Sequence, residues 1–137
     1  MMREVFANEH YRVDFSSEPR LIRVTRSQVP QSAQLLAPLV DEIVGVVSSL
    51  RPAPVLIDMR LAPGNNDPEF ERAATAALRR LLRGFSKVAI LVHSAVGRLH
   101  FQRMSRESGE ALHVFFEEEE ALWFLRDPAL PVPEPGS

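Results

Sequence analysis

Asp58, His93 and Ser94 are the residues whose types could supply an acid, a base and a nucleophile. Each ends or follows an apolar run: Val55-Leu56-Ile57 precedes Asp58, and Val88-Ala89-Ile90-Leu91-Val92 precedes His93 and Ser94. Continuous apolar runs of that length read as buried parallel strands, so the ends of two neighbouring strands could bring the three together. A triad asks for more, because the base must reach the nucleophile and be oriented by a third group. His93 and Ser94 are adjacent, and in a strand they would point to opposite faces. Loop hydrogen bonding for His93 and helix capping for Ser94 are therefore the expected roles, and no residue is assigned to catalysis. A small-ligand or anion binder, or a hydrolase, built on Asp58, Asn66, His93 and Ser94 is kept as an alternative.

Other chemistries find no footing. The six glycines are scattered and form no phosphate loop, and no Gly-x-Ser-x-Gly elbow occurs. His10, His93, His100 and His113 show no metal spacing, and there is no cysteine. Neither a metal nor a cofactor is expected.

The polar stretch after Asp58 is the part most suited to contact. Pro63-Gly64-Asn65-Asn66 has turn chemistry, Asp67 suits an N-cap and Pro68 the first helical position. Arg60 is read as pairing with Asp58 or Asp67, with anchoring of an anion beside Asn65 and Asn66 as the alternative. Ligands and partners of open α/β sheets gather at this strand edge. The candidate binding surface is accordingly Asp58, Arg60, Asn65, Asn66, Asp67, Glu69 and Ser94.

Strands and helices must place that surface. His10–Phe15 and Leu21–Thr25 alternate apolar and polar about the turn Ser16-Ser17-Glu18-Pro19, which predicts an N-terminal β-hairpin near a sheet edge. Leu36, Leu39, Val40, Ile43, Val44, Val47 and Leu50 make one helical stripe, with Pro38 either kinking the helix or starting its regular part. Phe70, Ala73, Ala74, Ala77, Leu78, Leu81 and Leu82 make a second, closed by Gly84, and the alanines suggest close packing on the sheet. A third helix runs from Ser94 to about Arg106 with Val96, Leu99 and Met104 inward. Leu112–Phe116 is the last strand, with His113 facing solvent. Glu117–Glu120 then open a fourth helix with Trp123 in the core, or else at a dimer contact. The order β-β-α-β-α-β-α-β-α predicts an α/β domain over residues 1–127: one mixed, mostly parallel sheet with helices on both faces. Residues 128–137 hold four prolines and read as a flexible tail.

The 137 residues suffice for one core without staples, and 45% hydrophobic and 25% charged residues are ordinary for a globular chain. No signal peptide is read at the N-terminus and no run approaches the ~20 residues of a membrane span, so a cytoplasmic setting is expected. A net charge of −2 argues against a nucleic-acid binder. From Arg60 to Arg106 the bases are 60, 72, 79, 80, 83, 87, 98, 103 and 106 against acids 67, 69 and 71. From Glu107 to Asp127 the acids are 107, 110, 117–120 and 127 against Arg126 alone. Solvated helix faces are the plain explanation; a basic patch for an acidic partner or a phosphate is the sharper one.

Two families bear comparison. Asp58 at a strand end, with Ser94-Ala95 after the next strand, resembles the phosphoacceptor and hydroxyl–small pair of response-regulator receiver domains. The acidic pair that holds Mg²⁺ there is replaced by Val24-Thr25-Arg26-Ser27, and the lysine by Phe116-Glu117. A phosphotransfer site without them lacks charge neutralisation, so this alternative would be a degenerate receiver. More of the chain, Leu21 to Leu125, is similar to STAS-type, SpoIIAA-like domains, the anti-sigma-factor antagonists and their relatives. The matching pieces are Leu56-Ile57-Asp58 with its loop and helix, Val88–Val92, Gly97-Arg98-Leu99 with Gln102-Arg103-Met104, and Val114-Phe115 with Glu118–Leu125. The resemblance implies a β-α superhelix around one sheet and regulation by binding another protein, unidentified, with a homodimer as a further possibility. In the antagonists a phosphorylatable serine opens the helix after the central strand; here that stretch is Asp67-Pro68-Glu69-Phe70. Glu69 either stands in for the phosphate or, as its place in a first helical turn already explains, belongs to a scaffold that has left that circuit.

Overall fold

The structure, a computed structural model, describes residues 2–65, 67–109 and 112–126. In chain order the elements are β1 (Arg3–Ala7), β2 (Tyr11–Ser17), β3 (Arg20–Arg26), α1 (Ala33–Val47), β4 (Val55–Asp58), α2 (Pro68–Leu81), β5 (Val88–Leu91), α3 (Ala95–Ser108), β6 (His113–Phe115) and α4 (Glu118–Arg126). They build one α/β domain on a mixed six-stranded sheet in sequential order. β1, β2 and β3 are antiparallel neighbours, and β3 to β6 are parallel.

That order fixes where the helices go. Each crossover steps to the next strand in the same direction, and right-handed crossovers in one direction place their helices on one face. Accordingly Leu39, Val40, Ile43 and Val47 of α1, Leu81 of α2 and Phe101 and Met104 of α3 share one core with Val55, Ile57 and Ile90. The alternate strand residues, Leu21, Leu56, Ala89 and Leu91, pack with Ala121, Phe124 and Leu125 of α4 on the other face. Three helices cover one side and α4 alone covers part of the other. The strand order never reverses among the parallel strands, so the sheet has no switch-point crevice of the kind that holds ligands in doubly wound folds.

Several expectations are corrected. β1 was not foreseen: its residues lack alternation, and it forms as an edge strand on β2, with a register shift between Glu4 and Phe6. α1 starts at Ala33 and runs through Pro38; that proline is exposed in the second turn, where solvent can satisfy the one carbonyl it strands. Ala33–Leu50 is apolar and long enough by composition to cross a membrane, but Leu36, Leu39, Val40, Ile43 and Val47 are buried within the domain. α2 buries only Leu81 fully and lies along α1, where Arg80 pairs with Asp41.

α3 keeps Met104 inward as expected, but not Val96 and Leu99. Val96 and Leu99 are 76% and 65% exposed, while Phe101 and Met104 are buried. The sequence offers two apolar stripes, Val96-Leu99 and Phe101-Met104, and the second is the one packed into the core against the sheet. Trp123 is also outside the core, 62% exposed. Five consecutive apolar residues fit any helical phase, and Ala121, small enough to lie flush against the sheet, sets this one. His113 does not face open solvent; its ring packs on Phe124 with centroids 4.5 Å apart. The proposed tail, residues 128–137, lies outside the described residues.

Candidate functional site

Asp58 ends β4 beside Thr25 of β3 and Leu91 of β5, on the face that α4 covers. It is 5% exposed. A carboxylate removed from water needs partners, and it has them. Arg60 closes a fork on it, Nε to Oδ1 at 3.0 Å and Nη2 to Oδ2 at 2.7 Å, and the Arg60 backbone N–H donates to Oδ1 at 3.1 Å. Arg23 Nη2 donates to Oδ2 at 2.9 Å. Both guanidiniums also reach Oε1 of Glu118, Arg23 at 2.6 Å and Arg60 at 3.3 Å. Two acids and two arginines thus close a ring that ties β3, β4 and the following loop to the first residue of α4.

Burial pushes the Asp58 carboxyl up, but hydrogen bonds from the Arg60 side chain and backbone, the charge of Arg60 and the bond from Arg23 outweigh it, leaving it below the usual carboxylate range. The hydrogen bond from Arg60 in turn holds that guanidinium more firmly protonated. A carboxylate offers about four lone-pair positions, and Asp58 accepts four hydrogen bonds. Both of its oxygens are therefore engaged by the two arginines in this arrangement.

The other predicted residues are placed elsewhere. Ser94 Oγ accepts from Gly97 N at 3.1 Å as the N-cap of α3. Asp67 caps α2, accepting from Glu69 N at 3.2 Å, and Asn65 Oδ1 accepts from Asp67 N at 2.9 Å. Glu69 stands in the first turn of α2, where its charge complements the helix dipole. Asn66 lies outside the described residues. His93 is exposed, and no hydrogen bond among the described residues joins Asp58, His93 and Ser94. The strand ends therefore do not assemble a triad. The pairing of Arg60 with Asp58 is as expected. Arg23 and Glu118 were missed as its partners; the alternation Leu21-Arg23-Thr25 puts Arg23 on the face of Asp58, but nothing local marks Glu118 as more than a dipole-compensating acid.

The same edge also exposes apolar side chains. Leu61 in the loop is 60% exposed, and Val96 and Leu99 project from the first turns of the neighbouring α3. Phe116 lies partly exposed beside Arg98, whose guanidinium sits 5.0 Å from the ring centre. A groove of about 370 Å³ opens between α2 and α3, lined among others by Arg72, Arg79 and Arg103. It is removed from Asp58 and Ser94.

Two histidines should make stability depend on pH. Burial lowers the pKa of His113 below its ordinary 6.5, Lys87 adding to the effect, and Nε2 is buried without a hydrogen-bond partner among the described residues. Burial likewise lowers His100, against the pull of Glu71. A depressed imidazole means that the unfolded chain binds the proton first, so stability falls as pH drops through the ordinary value and below. The depressed carboxyl of Asp58 adds a loss at more acid pH, as it too becomes protonated. The urea midpoint should fall from pH 7.5 to 5.5, and His113→Leu should flatten that slope; an unchanged slope would remove His113 as its source.

No family model matches this chain, and neither a curated protein nor a solved structure was found that does.

Proposed function

We propose that this domain is a non-enzymatic, regulatory protein-binding module of the STAS, SpoIIAA-like type its sequence resembles, working without the serine phospho-switch. The observation that carries the reading is the exposure of Leu61, Val96 and Leu99, which follow the C-terminal ends of β4 and β5. Apolar side chains gathered at one edge cost solubility and mark contact surfaces. The engagement of Asp58 by two arginines supports the same reading from the other side, since it occupies the carboxylate on which a receiver or hydrolase would depend.

The test is capture of a protein from native extract by wild type and by Val96→Asp/Leu99→Asp. Both residues are solvent-exposed, so the variant should keep its circular dichroism spectrum and melting temperature. A partner held by wild type and lost by the folded variant is expected. Equal capture by both would move the function away from this edge.

A further inference from the structure

The exposed edge of α3 does not stop at Leu99. Val96, Leu99, Arg103 and Arg106 recur at spacings of three, four and three, one stripe along the helix opposite Phe101 and Met104. The stripe is about 15 Å long, three helical turns. Its first half is apolar and its second half basic. Alongside runs the α2–α3 groove, whose other wall presents Arg72 and Arg79. Arg72, Arg79 and Arg106 are exposed and form no ion pair among the described residues. Arg103 bonds Glu71 at 2.9 Å, but a half-exposed pair is weak and can be exchanged for an incoming carboxylate. Glu107 is the groove's other acid, leaving three lining arginines, Arg72, Arg79 and Arg103, against two glutamates, with Arg106 on the stripe beside the groove.

Resting on the protein-binding reading, we infer that the surface of α3 and the α2–α3 groove receives an acidic amphipathic helix of a partner protein. Its apolar side chains would lie on Val96 and Leu99, and its carboxylates would meet Arg103, Arg106, Arg72 and Arg79. A basic stripe alone would suit any polyanion. The apolar half, directly in line with it, asks for a partner carrying both characters at helical spacing. Aromatic side chains on which nucleic-acid bases could stack are missing from the stripe.

A photo-crosslinking benzoylphenylalanine in place of Leu99, in the full chain in native extract, gives the test. The expected result is a crosslink to a helix-forming segment rich in Asp and Glu, identified by mass spectrometry. Arg103→Glu/Arg106→Glu should cut its yield about tenfold, as reversed charge complementarity should, and higher salt should cut it in wild type. Crosslinks to a neutral or basic segment, to a second copy of this chain, to nucleic acid or to lipid would overturn the acidic-helix assignment. If a protein crosslink forms and still needs Val96, the protein-binding reading survives without it. If no protein crosslinks at all, both fall.

Discussion

Replacing Asp58 by alanine should lower the unfolding free energy by about 2–3 kcal/mol, measured by urea denaturation. Breaking a buried ion pair by removing one partner costs roughly 3–5 kcal/mol, because the other charge is stranded. Here two guanidiniums are stranded against each other, with only Glu118 left between them. Arg60 and Glu118 are 39% and 38% exposed, so water relieves part of the penalty. The residues act as a unit, so Asp58→Ala/Arg60→Ala should cost less than the sum of the single losses. Strict additivity would mean that the ring is four independent contacts.

Phe124→Ala should be the more damaging of the two, at about 3–4 kcal/mol, within the range for a buried Phe truncation. α4 has nine residues, too short to hold its own helix in water, so packing must hold it. Phe124 supplies much of that packing: it is buried, its ring lies 5.6 Å from that of Phe115 and 4.5 Å from that of His113, and Lys87 Nζ sits 5.0 Å from the ring centre. Lys87 also donates to the Phe124 carbonyl at 3.1 Å. Amide exchange in α4 should rise well before that of β4 and β5. Loss of protection spread evenly over the domain would show that α4 and the sheet unfold as one.

Both predictions concern α4, whose position was legible in the sequence but whose packing was not. β4 and β5 were legible because a parallel strand covered on both faces must be apolar at every position. Asp67-Pro68 and Ser94 were legible because capping is local chemistry, settled within three residues. The ring around Asp58 is not local: Arg23 and Glu118 are 95 positions apart, and only the sheet order brings them together. Val96 and Leu99 of α3 and Trp123 of α4 were misplaced for a different reason. Val96-Leu99 and Phe101-Met104 are both valid apolar stripes, and the choice between them is made by packing against the sheet, which no periodicity records. For the candidate surface, the sequence points to the acid and the loop, whereas the exposed Val96 and Leu99 of α3 had been assigned to the core.

The central claim is that Asp58 fastens α4 to the sheet while the outer edge of α3 and the loop at Leu61 carry the function. The most direct measurement captures protein from native extract with wild type, Asp58→Asn and Val96→Asp/Leu99→Asp side by side, at a temperature where all three are folded by circular dichroism. The account predicts that Asp58→Asn retains the partner of the wild type and that the α3 variant loses it. Loss of the partner by a folded Asp58→Asn, with retention by the α3 variant, would contradict it and return the function to the strand-end carboxylate.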